Sequence, residues 1–142
     1  MRKLAVFVFL FLGIFSMANA ENYSSPDTNF VFIKGGSFIM GSSAAEDWRS
    51  NDESQHSVTL ASFYMSKYEV TQKEWREITG KNPSNFYGDR LPVESITWLE
   101  AVDFCNALSR KTGRTPVYTV TDGGRTVSWN RSANGFRLPT EA

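Results

Sequence analysis

TWLEAVDFCNALSRKTG, residues 97–113, carries the clearest helical period in the chain. Thr97 and Glu100 stand at capping-box spacing, where an N-cap hydroxyl and an N3 carboxylate satisfy each other's orphan backbone donors. Between them and Gly113, a natural helix stop, Trp98, Ala101, Val102, Cys105 and Leu108 fall at i, i+3, i+4, i+7 and i+10. That spacing is one continuous apolar face, so the sequence predicts a helix ending near Lys111 with Gly113 as its cap and this face buried. Cys105 lies in the middle of the face. A nucleophilic thiol needs a neighbouring base and exposure, so Cys105 reads as a packing residue.

Outward from this helix the chain divides into short elements. Downstream, VYTV (117–120) and TVSW (126–129) flank Asp122-Gly123-Gly124, which predicts a hairpin, and Asn134-Gly135 turns the chain into FRLPTEA. Thr140 there has the character of an N-cap. Upstream, KNPSNFYGDRLPVES (81–95) is a loop by its Pro, Gly and Asn content. A second capping box, Thr71 with Glu74, followed by Trp75, Ile78 and the stop at Gly80, predicts a short helix over 72–79. Before it, Val58, Leu60 and Tyr64 have strand spacing, and SSAAEDWRSNDESQ (42–55) is a polar, mostly acidic loop. FVFIKGGSFIMGS (30–42) reads as two short strands joined by a tight turn at Gly35-Gly36. Short strands, two helices and long loops in this order predict an irregular, loop-rich α+β domain rather than a layered βαβ sheet.

The ends and the composition bound the function. Arg2 and Lys3, the apolar run Leu4–Phe15 and Ala18-Asn19-Ala20 form an export-signal pattern, so residues 1–20 are expected to be removed and the mature protein to be secreted or periplasmic. The apolar run is too short to span a bilayer and no second one follows, so no membrane span is expected after cleavage. Residues 21–29 read as a flexible lead-in, and 30–142 as the folded part. Removing residues 1–20 from 142 leaves 122, enough for one small domain. Fifteen basic residues balance fifteen acidic ones over the whole chain, and no charge block stands out, which argues against nucleic acid and anionic membrane as partners. Cys105 is the only cysteine, which excludes an internal disulfide and any two-thiolate metal site built from this chain alone.

Four words in order, GGSFIMGS (35–42), HSVTLASFYMSKYEVTQKEW (56–75), LPVESITWLEAVDFCNALSRKTG (91–113) and NGFRLPTEA (134–142), resemble the N-terminal portion of the formylglycine-generating-enzyme, or sulfatase-modifying-factor, family. The resemblance covers nearly the whole mature chain. It implies an irregular variant of the C-type-lectin-like fold, cut short at its C-terminal end, and in that family an oxidation of a substrate cysteine to formylglycine. It also implies copper held by a pair of cysteine thiolates and structural calcium, all in a C-terminal half that follows the R-L-P-T-E-A word. This chain departs from the pattern at Ser54, where the family usually has Pro.

No catalytic, cofactor-binding or metal-binding residue is therefore assigned, and no cofactor is expected for this chain alone. His56, with Glu53, Asp52 and Asp47 nearby in sequence, lacks the second His and the converging ligand set of a metal site and reads as a polar strand edge. The acidic loop lacks the ligand spacing and central Gly of a calcium loop. Gly35, Gly36, Gly123 and Gly124 read as turns, since no helix follows them in the manner of a phosphate cradle. Trp48, Phe86 and Tyr87 serve either as core plugs or as a ligand surface, the former being the preferred reading. The expected function is that of an exported, non-catalytic family domain. The alternatives are a copper-dependent oxidase whose C-terminal half is supplied elsewhere, and a surface binding module on a lectin-like scaffold. The expected partners are a protein or a complementary C-terminal half.

Overall fold

The computed structural model describes residues 29–142, so the expected signal sequence (1–20) and all but the last residue of the expected lead-in (21–29) lie outside the described residues. Six strands and two helices follow in the order β1 (Phe30–Ile33), β2 (Gly36–Met40), β3 (His56–Leu60), β4 (Phe63–Ser66), α1 (Gln72–Thr79), α2 (Trp98–Lys111), β5 (Tyr118–Thr121) and β6 (Thr126–Trp129). The strands form three separate antiparallel pairs, β1 with β4, β2 with β3 and β5 with β6. The domain is thus mixed helix and sheet without a layered sheet.

The expected turn at Gly35-Gly36 is not one. β1 and β2 do not pair with each other; each pairs with the returning arm, Ile33 opposite Phe63 and Gly36 opposite Leu60. The two pairs form one nested arm that bends at Gly35 on one side and at Ala61–Ser62 on the other. A Cβ on Gly35 would lie 2.6 Å from the Leu60 carbonyl oxygen and 2.6 Å from the Ser62 nitrogen, so only glycine lets the two backbones approach this closely. The Gly35 N–H donates to Ser62 Oγ at 2.9 Å and fixes the approach.

Both helices begin at capping boxes as read, Thr71 with Glu74 and Thr97 with Glu100. α1 ends at Gly80 with φ 73°, and α2 at Thr112, one residue earlier than expected, with Gly113 left-handed just beyond it. The predicted hairpin is present: β5 and β6 pair from Tyr118–Trp129 to Thr121–Thr126 across a short 3₁₀ turn at Asp122–Gly124.

The core lies where the two helices meet. Trp75 of α1 stacks on Phe104 of α2 with ring centroids 4.7 Å apart and planes 2° from parallel. Tyr64, Val70, Val93, Ala101, Cys105 and Phe136 complete the cluster. The expected face of α2 is partly right. Ala101, Val102 and Cys105 are buried, but Trp98 is 51% exposed. Burial also extends beyond that face to Phe104, Asn106 and Ser109, because α2 is covered from a second side by β5 and the segment around Phe136.

Two buried polar side chains join these layers. Asn106 donates from Nδ2 to the Tyr118 carbonyl at 2.8 Å and accepts from the Tyr118 N–H at 3.1 Å. Ser109 Oγ donates to the Cys105 carbonyl at 2.7 Å and accepts from the Phe136 N–H at 2.8 Å. The Tyr118 and Phe136 backbone groups thereby gain partners inside the fold. Gly135 permits the approach, since a Cβ there would meet the Thr115 carbonyl oxygen at 2.3 Å. Among the described residues no helix is long and apolar enough to cross a membrane, and none follows Thr140, whose hydroxyl donates to the Ala142 carbonyl.

Candidate binding surface

The residues considered for chemistry do not converge. His56 sits exposed at the start of β3, its Nδ1 2.9 Å from the Ser54 carbonyl oxygen, and Glu53 accepts from Ser42 Oγ within its own loop. Among the described residues no group of three or more His, Cys, Asp or Glu side chains is placed to hold a metal ion. Cys105 has no exposed surface and burial pushes its thiol up to about 12, a group that does not ionise near neutral pH. The residues present therefore do not fit the two-thiolate copper site that the family resemblance implies, and no step through copper follows from them.

What the fold does present is aromatic surface. Trp48 is fully exposed at φ 68°, in the left-handed region that bulky residues rarely adopt, and Phe86 and Tyr87 are 75% and 79% exposed. The core-plug reading of these three side chains is overturned. The core is filled by Trp75, Phe104 and Phe136 instead, and the loops that carry Trp48, Phe86 and Tyr87 run over the outside.

The Phe86–Tyr87 loop is held by two side chains. Gln72, at the start of α1 and 1% exposed, donates from Nε2 to the carbonyls of Phe86 at 2.6 Å and Pro92 at 3.2 Å. Its Oε1 accepts from Asn82 Nδ2 at 3.0 Å and from the Gly88 N–H at 3.1 Å. The returning strand of the loop is pinned to the same helix start, with Gln72 N–H on the Leu91 carbonyl and Val93 N–H on the Val70 carbonyl, each at 2.9 Å. From the other side the Glu94 carboxylate accepts from the backbone N–H groups of Asn85 and Phe86, from Asn85 Nδ2 and from Ser95 Oγ. The loop is thus rigid while its two aromatic side chains stay in solvent. A preorganised aromatic pair gives up little conformational entropy on contact, which suits recognition.

The Ser95 hydroxyl first and then the Phe86 N–H hold the Glu94 carboxyl below the ordinary value of 4.5. A depressed folded-state value means that the ordering contribution is complete above pH 4.5 and is lost as pH falls through the lower folded value. Amide exchange at Asn85 and Phe86 is therefore expected to accelerate on acidification below pH 4.5 in the native chain. In Glu94→Gln it should be fast and nearly pH-independent once intrinsic exchange is divided out. A flat profile in the native chain would remove Glu94 from this role.

A cavity of about 380 Å³ also opens between β1, β4 and the two helices, lined by Phe30, Val70, Ile78 and Leu108 together with Glu69, Glu77 and Lys111. Sequence reasoning missed Gln72 and Glu94 altogether. Their side chains look like ordinary helix-start and loop polar residues, and only the returning loop reveals what they bind.

The Sulfatase-modifying factor enzyme 1-like domain family matches residues 16–142. Chaperone protein LppX of Paenibacillus barcinonensis is 38% identical over 157 aligned residues, covering 100% of this chain and 53% of that protein, so the chain spans about half the length of this curated relative. Among solved structures, Treponema denticola variable protein 1 superposes with a TM-score of 0.67 at 29% identity, over 79% of this chain and 49% of that one. CarF superposes with a TM-score of 0.60 over 79% of this chain and 53% of that one; at 23% identity it speaks for the fold alone. By its sequence match, with these structural neighbours in agreement, the chain belongs to the sulfatase-modifying-factor, or formylglycine-generating-enzyme-like, family.

Proposed function

We propose that this chain is an exported, non-catalytic member of the family that works by binding polypeptide. The observation that carries the reading is Cys105: the sole thiol of the chain is buried on the core face of α2, so the cysteine chemistry of the family has no starting group here. The rigid loop with Phe86 and Tyr87 in solvent, and the further exposed apolar groups Phe38, Ile39 and Trp98, supply surface for a polypeptide partner. That a relative is named a chaperone protein agrees with this. A complementary C-terminal half is among the partners such surface would accept, since the relatives are about twice as long. We take the scaffold as a C-type-lectin-like variant, and the localisation as secreted or periplasmic with residues 1–20 removed.

The test uses the exported chain, with intact mass checking that it begins at Glu21. Added to a chemically unfolded client such as reduced lysozyme, it is expected to suppress light scattering from aggregation. The double variant Phe86→Ser/Tyr87→Ser, altered only at exposed positions, is expected to lose most of that protection. In parallel, a cysteine-containing sulfatase peptide incubated with the chain and copper is expected to keep its mass. Formylglycine in that peptide would restore the oxidase alternative, and unaltered client protection by the double variant would refute the loop as the binding surface.

A further inference from the structure

The basic residues of the chain are unevenly placed. From Arg110 to the C-terminus six of them, Arg110, Lys111, Arg114, Arg125, Arg131 and Arg137, stand against only Asp122 and Glu141. The stretch from the end of α2 onward is therefore the cationic part of a chain whose total charge is balanced.

Two of these arginines share one ring. The guanidinium carbons of Arg131 and Arg137 lie 4.8 Å and 5.0 Å from the centroid of the Trp129 indole. Neither makes an ion pair; among the described residues the salt bridges are Lys73–Glu77 and Arg76–Asp89. Arg137 places Nη1 on the Leu138 carbonyl at 3.0 Å, while its Nε is enclosed with no acceptor. Burial, and then the nearby Arg131 charge, lower its proton affinity against an opposing effect of Tyr118. Like charges held together on an aromatic ring repel each other, and a buried guanidinium donor without an acceptor is costly. The repulsion between the two charges is relieved by an anion bound at their accessible N–H groups, the enclosed Arg137 Nε staying out of its reach.

We propose that Trp129, Arg131 and Arg137 form a carboxylate-binding site that receives an acidic side chain of a bound polypeptide. A guanidinium fork matches a carboxylate with two parallel hydrogen bonds, and the ring orients both forks in advance. The choice of polypeptide as carrier rests on the proposed function; the anion preference rests on the arginines. The cationic part of the chain would draw an acidic segment in and make its capture salt-sensitive.

The experiment follows the fluorescence anisotropy of a labelled decapeptide rich in Asp and Glu, with its Asn/Gln counterpart as control, on the mature chain. The acidic peptide is expected to bind and the neutral one not. Arg131→Gln, at an exposed position, should weaken binding roughly tenfold, the worth of a charge-assisted hydrogen bond. Arg137→Lys, which keeps the charge and removes the fork, should weaken it similarly. Lys67→Gln, the same charge change at an exposed position just after β4, should leave it unchanged. Equal losses in Lys67→Gln and Arg131→Gln would reduce the effect to overall charge and overturn the site. Absence of acidic-peptide binding, or displacement by inorganic phosphate as readily as by unlabelled peptide, would also overturn it. If client protection through Phe86 and Tyr87 holds while the peptide fails to bind, only this inference falls; if the peptide binds and client protection fails, only the earlier reading falls.

Discussion

Phe104→Ala is expected to lower the stability of the chain by about 3–5 kcal/mol, the usual cost of emptying a buried aromatic position. Phe104 is 1% exposed and lies flat on Trp75, so the substitution removes both its own burial and the stacking surface of its partner. The pair is also the main joint between α1 and α2, and it packs with Val70, Cys105 and Phe136, which lie on three different segments. A domain of this size is stable by only about 5–15 kcal/mol in total, so the variant should lose a large share of its stability. Urea denaturation followed by far-ultraviolet circular dichroism measures the loss. Trp98→Ala provides the comparison, since Trp98 belongs to the apolar stripe of the sequence but is half exposed in the fold. It should cost less than about 1 kcal/mol, as substitutions away from the core usually do. Similar losses for the two variants would mean that the stripe, and not the Trp75–Phe104 stack, organises the core.

That comparison shows where the sequence is readable. Both helices could be placed to within a residue because each carries its own capping box, a signal complete within four residues. The β5–β6 hairpin was equally local. Gly35-Gly36 was not. A glycine pair between two apolar stretches looks the same whether it turns the chain or lets another backbone lie close against it, and that partner lies at residues 60–62. Likewise Asn106 and Ser109 look like solvent-facing helix residues until β5 and the Phe136 segment bring backbone groups to them. That a single cysteine cannot by itself supply two thiolates is a matter of the sequence and not of the fold. The binding surface was not legible, because Trp48, Phe86 and Tyr87 suit a core as well as a loop, and what decides between them is long-range packing.

The side chain that sets this surface is Gln72, and Gln72→Leu is expected to cost about 2–4 kcal/mol while loosening the Phe86–Tyr87 loop. Leucine roughly fills the volume, so the loss is not mainly a cavity. It arises because the Phe86 and Pro92 carbonyls, the Gly88 N–H and the Asn82 amide lose their common partner. Buried or half-buried groups left unpaired keep their desolvation cost without compensation. Hydrogen exchange should therefore accelerate at Gly88, whose N–H bonds to Gln72 directly, and at Phe86, whose carbonyl anchors the loop. The stacked core of Trp75 and Phe104 should remain protected until global unfolding. Gln72→Glu sharpens the test. Above the carboxylate range the new side chain can still accept from Asn82 and Gly88, but it faces the Phe86 and Pro92 carbonyls with negative charge in place of a donor. Below that range it is protonated and can donate to one carbonyl again. Loop protection in Gln72→Glu is thus expected to be poor near neutral pH and to recover in part as the introduced carboxyl gains its proton, a direction opposite to that expected of the native Glu94. Client protection should follow loop protection in both variants if the aromatic pair works as a rigid surface. Unchanged exchange at Gly88 in Gln72→Leu, or full client protection with a disordered loop, would separate Gln72 from the binding surface.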